Sequence, residues 1–159
     1  MAGPEFPVNI RQTCLEVQDH PTDVVLLGFA DKIVVLITQL GNVGSLLASG
    51  GGDRTTDMAG HPRTVDDVDD FGGSSAPPTH TQFLLGNTSD SGLNAVYQLF
   101  ASEVTHLIHQ QSPQDARALL LGISLKDHRE YSGDGAPSSG KVAGVLRPVL
   151  DAVAGLRVW

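Results

Sequence analysis

Apolar positions along this chain follow two periods. Val24–Ala30 and Ile33–Leu40 are dense apolar runs of seven and eight residues, joined by Asp31-Lys32. Their length and their Val, Ile and Leu content predict strands, and the tight connection predicts an antiparallel hairpin. Residues 8–17 (VNIRQTCLEV) alternate in part and predict a strand before them, with His20-Pro21-Thr22-Asp23 as the intervening turn. Gly41-Asn42-Val43-Gly44 predicts the next turn and Ser45–Ala48 a short strand, while Thr81–Gly86 and Ala116–Lys126 predict two more. From Gly92 to Gln111 the period changes: Leu93, Val96, Tyr97, Phe100, Val104, Leu107 and Ile108 recur at spacings of three and four, one face of a helix. Thr88-Ser89-Asp90-Ser91 supplies N-caps for it, and Ser112-Pro113 ends it. A second helix is predicted over about 142–154, with Val145, Leu146, Val149, Leu150 and Val153 as its apolar face. Pro148 either kinks that helix or sits in its first turn, and Gly155 is placed as its C-cap.

The strands carry a second message. A sheet with one wet face alternates apolar and polar residues, but in Val24–Ala30, Ile33–Ile37 and Ala118–Leu121 both parities are apolar. Both faces of the central sheet then need covering, and two ordinary helices suffice for one. An open apolar face of that size marks an interaction site, so a second polypeptide is expected on it. Full burial of six to eight aliphatic side chains amounts to roughly 10–20 kcal/mol before the costs of association. With Asp31-Lys32 at the hairpin tip, Phe29 pairs Val34, Leu27 pairs Leu36 and Val25 pairs Thr38. These six residues form the expected partner-facing set, and Ala30, Ile33, Val35 and Ile37 turn toward the helices. Slipping the register by one residue would exchange the two sets. The fold class is α+β: a six-stranded antiparallel sheet with two helices, forming a dimer.

Composition narrows the rest. The 159 residues suit one domain, taken as 8–159 with 1–7 as a tail and 49–80 as a flexible insertion. That insertion is bounded by Ser49-Gly50-Gly51-Gly52 and Gly72-Gly73-Ser74-Ser75-Ala76-Pro77-Pro78, with six Asp and two Arg between and no apolar period. A net charge of -8 argues against a nucleic-acid footprint. A lone cysteine, Cys14, excludes an internal disulfide and multi-cysteine zinc modules, and is expected to be a small buried residue. No secretory leader and no apolar stretch of membrane-spanning length is evident, so the expected location is cytoplasmic, with the nucleus also open, and no membrane is involved.

Candidate chemistry is sparse. Gly135–Lys141 fits G-x-x-x-x-G-K, a phosphate-binding loop, but Val142 stands where the Mg²⁺-binding hydroxyl belongs. Nucleotide binding is therefore the enzymatic alternative, an exposed loop the simpler reading. Val65-Asp66-Asp67-Val68-Asp69-Asp70 invites a calcium loop, but one starting at Asp67 would place Phe71 fifth and Pro78 twelfth, where ligands are required. His106 and His109 stand on the polar face of the first helix without further ligands nearby. No catalytic residue, metal or cofactor is assigned.

Several segments taken together resemble a known family. They are Val34–Gly41 (VVLITQLG), the turn Asn42-Val43-Gly44, Phe83-Leu84-Leu85-Gly86 before a helix, the late strand ending Lys126-Asp127, and the terminal Val158-Trp159. In order and spacing these are similar to proteasome assembly chaperone 3, most specifically at the turn carrying Gln39, Gly41 and Gly44. The likeness covers most of the chain outside 49–80 and 128–140. It implies a non-enzymatic chaperone that dimerises with the related assembly chaperone 4 or with itself. It also implies binding to α-subunits of the 20S proteasome and assistance to α-ring formation. A structural homodimer of unrelated role is the remaining alternative.

Overall fold

The computed structural model describes residues 8–39, 41–51, 79–87, 91–126 and 139–159. The elements in chain order are β1 (Asn9–Val17), β2 (His20–Gly28), β3 (Lys32–Thr38), β4 (Ser45–Gly51), β5 (Thr79–Leu85), α1 (Ser91–Gln111), β6 (Ala118–Ser124) and α2 (Ser139–Leu156). The strands form one six-stranded sheet in the order β1-β2-β3-β6-β4-β5. Four neighbouring pairs are antiparallel, but β3 and β6 run parallel. The expectation of a wholly antiparallel sheet is corrected at that pair. The turn after β3 does not return the chain alongside it; β6 enters between β3 and β4 after the α1 crossover, and a crossover of that length permits parallel pairing.

Both helices lie on one side of the sheet. Residues of one parity on the inner strands are sealed: Val24, Leu26, Val35, Ile37, Leu47, Leu121 and Ile123 have no exposed surface. They pack with Phe100, Val104, Val149 and Val153 from the two helices. Buried α1 residues recur at helical spacing, Leu93, Val96, Tyr97, Phe100, Val104 and Ile108, as its sequence predicts. In α2 the proline falls inside the helix and Gly155 is still helical. Pro148 cannot donate to the Gly144 carbonyl, but Gly144 is on the exposed side, where water can meet that group.

Two turns differ from expectation. The β1–β2 reversal falls at Gln18-Asp19, both at positive φ (49° and 62°), the twist that suits a two-residue hairpin. His20-Pro21-Thr22-Asp23 belongs to β2, and Pro21 is tolerated because β3 pairs β2 only from Asp23 onward. In the β2–β3 hairpin the tip is Ala30-Asp31, not Asp31-Lys32: the Phe29 N–H donates to the Lys32 carbonyl at 2.9 Å. Leu27 therefore pairs Val34, Val25 pairs Leu36 and Asp23 pairs Thr38. Arg117 holds this tip from outside: its Nη1 donates to the Phe29 carbonyl at 2.9 Å while its Nε donates to both carboxylate oxygens of Asp115. Ala30 is exposed in the turn and does not face the helices.

The strands β4 and β5 run through Ser49–Gly51 and Thr79–His80, at the borders of the expected insertion; the remainder of that stretch lies outside the described residues. Beyond β5, Gly86 adopts φ +72°, and a Cβ there would stand 2.6 Å from the Gly44 carbonyl oxygen. Gly41 has a similar φ of +70° with open space around it. Gly86→Ala is expected to cost at least ~2 kcal/mol and Gly41→Ala about 1 kcal/mol, read by urea denaturation.

The Arg117 guanidinium beside Asp115 holds that carboxyl below its ordinary value, against a smaller desolvation effect. A depressed carboxyl stabilises the fold above its unfolded pKa and loses that contribution as pH falls through the folded value. Arg117→Ala is therefore expected to lower stability by about 1–2 kcal/mol at neutral pH. Its deficit against the native chain should narrow below about pH 4, measured by denaturation across a pH series.

Candidate functional site: the uncovered face of the sheet

With both helices on one side, the opposite parity of every strand faces away from them. Beyond the Lys32–Ala118 pair at the hairpin-tip end, cross-strand register defines three rows on this outer face. The first is Ile10, Leu27, Val34, Leu120 and Ala48; the second is Gln12, Val25, Leu36, Gly122, Leu46 and Leu85; the third is Cys14, Asp23, Thr38 and Ser124. The first two rows are apolar except at Gln12 and, where β5 continues the first row opposite Ala48, at the exposed Gln82; the third is polar and closes the patch at one end. Val25, Leu27, Val34, Leu36, Leu46 and Leu120 are half-buried, while Ile10 is 43% exposed and Leu85 66%. They shield one another in part, because cross-strand neighbours stand side by side, but no helix covers them.

Of the six residues expected to face a partner, Val25, Leu27, Val34, Leu36 and Thr38 share this face, and Phe29 lies past the end of β2 at the hairpin tip. Their pairing differs from expectation while their common side is retained. Moving the tip by one residue moves each partner by two, which keeps parity. Sequence reasoning missed Ile10, Leu46, Ala48 and Leu120. The unbroken apolar run Ala118–Leu121 was the signal for Leu120, because its alternate positions cannot all face the helices.

Gly122 shapes the middle of the face. A Cβ there would lie 2.7 Å from Leu36 Cδ2 and 2.9 Å from Val43 Cγ1, so Leu36 and Val43 close over the glycine. Val43, from the turn after β3, is thereby part of the outer face and is 50% exposed. The turn itself is held by a second device. The Gln39 Oε1 accepts from the Lys126 N–H at 2.9 Å, and its Nε2 donates to Thr22 Oγ1 at 3.0 Å. Gln39 thus ties β2, β3 and β6 together at one end. The carbonyl of Asn42 accepts from Thr38 Oγ1 at 3.1 Å. Gln39, Gly41 and Gly44 act here as framework for the turn that presents Val43.

Cys14 is exposed on β1, contrary to the expectation of a buried thiol. Its even position on the edge strand points to the uncovered side, opposite Asp23. A hydrogen bond to the Asp23 carboxylate, some desolvation and that carboxylate's charge hold the thiol above its ordinary value, which disfavours the reactive thiolate. Among the described residues no three His, Cys, Asp or Glu side chains converge to hold a metal. The acidic run 65–70 and most of Gly135–Lys141 lie outside the described residues; Gly140 and Lys141 form part of the first turn of α2.

Among the described residues the molecule is thus a six-stranded sheet with both helices on one side and a largely apolar opposite face. Comparison with known proteins makes this specific. Residues 35–132, more than half of the chain, match the family model described as proteasome assembly chaperone 3. The chain belongs to that family, whose role is chaperoning in proteasome assembly. Among solved structures, a chain from "Crystal Structure of a Novel Chaperone Complex for Yeast 20S Proteasome Assembly" is similar in fold. Its TM-score is 0.54 at 18% identity, covering 94% of this chain and 100% of that one. A search of curated proteins finds no match.

Gly122→Val is expected to push Leu36 and Val43 off β6 and cost about 1–3 kcal/mol, whereas Leu85→Ala on the exposed edge changes stability by under about 0.5 kcal/mol. Chemical denaturation of the two variants against the native chain checks the contrast.

Proposed function

We propose that this protein is a proteasome assembly chaperone that acts without catalysis. It works as a dimer, binds α-subunits of the 20S proteasome and assists formation of the α-ring. The single observation that carries the reading is the family match over residues 35–132. The uncovered apolar face supports the dimer independently, on physical grounds: Leu27, Val34, Leu36, Leu46 and Leu120 gain by leaving water against a second sheet. Its occupant is a related chaperone, assembly chaperone 4, or a second copy of this chain. The fold shared with a chain of the yeast chaperone complex is compatible with either.

The energetic case is moderate rather than large. Because these side chains are already half-buried, docking removes only part of each from water, about 1 kcal/mol per residue at the usual apolar coefficient. Six to eight such residues on each of two apposed faces contribute roughly 12–16 kcal/mol, and an association cost of about 4–6 kcal/mol leaves a dimer near the micromolar range. A central charge placed on this face loses that gain and adds the cost of a buried, unpaired carboxylate.

Leu36→Asp is expected to weaken association at least 100-fold while far-UV circular dichroism keeps its helical signal. Native mass and sedimentation at micromolar concentration read the change, and a variant that associates as the native chain does overturns the face assignment. Affinity purification of the native chain from its own cells, with mass spectrometry, is expected to enrich 20S α-subunits together with a paralogous chaperone. Enrichment of neither overturns the proposed function, whatever the oligomeric result.

A further inference from the structure

We draw no further inference here: the strongest candidate, the patch that Leu84 and Leu85 expose on the outermost strand β5 (49% and 66%), carries nothing because nothing in the structure shows what covers it.

Discussion

Six strands spaced about 4.8 Å apart make a sheet some 25–30 Å wide, and two helices, each about 10 Å across, suffice to cover one side of it. Every later feature of this molecule follows from that mismatch. On the covered side, Val24, Leu26, Val35, Ile37, Leu121 and Ile123 are fully sealed beneath α1 and α2. On the other side the same strands present Val25, Leu27, Val34, Leu36 and Leu120, residues of nearly equal hydrophobicity with no element of the described chain above them. A monomer designed to stand alone would place Thr, Lys or Glu at those positions.

Several polar side chains on the covered side find partners close by. Thr105 Oγ1 lies 2.9 Å from Ser49 Oγ and 2.7 Å from the Ala101 carbonyl, tying α1 to β4 inside the core. Ser45 Oγ donates to the Gly86 carbonyl at 2.8 Å, so the turns flanking β4 and β5 are held together. At the same end, Gln39 spans three strands. Arg117 closes the opposite end of β3 by binding the β2–β3 tip. The framework is therefore pinned at both ends of β3, one of the two central strands of the sheet.

Most of this architecture was legible in the sequence, because the strong signals were local. The seven apolar positions of α1 repeat at helical spacing whatever the rest of the chain does, and the double-sided apolar runs announced a sheet apolar on both faces. What failed was non-local. Nothing in Ala118–Ser124 itself states that it lies parallel to β3 rather than beside β5; only the α1 crossover and the packing of both helices on one side determine that. The β2–β3 tip lies one residue earlier than expected, and there Arg117, 88 residues from Phe29, binds the Phe29 carbonyl, a contact no local pattern announces. The buried-cysteine rule misjudged Cys14 for a related reason: burial propensity is an average over folds, and β1 is an edge strand whose even positions face the open side.

The family match and the apolar face are separate lines of support, and their extents differ. The match begins at Val35, inside β3, and so omits β1 and β2. Yet Ile10, Val25 and Leu27 on those two strands continue the rows formed by Val34, Leu36, Leu120 and Leu46 without a break. A surface that merely happened to be apolar in the matched region would have no reason to extend across strands outside it. The polar row Cys14, Asp23, Thr38 and Ser124 then ends the patch along one line across four strands. That single boundary crosses both matched and unmatched strands, so the patch is sized to the sheet rather than to any one motif.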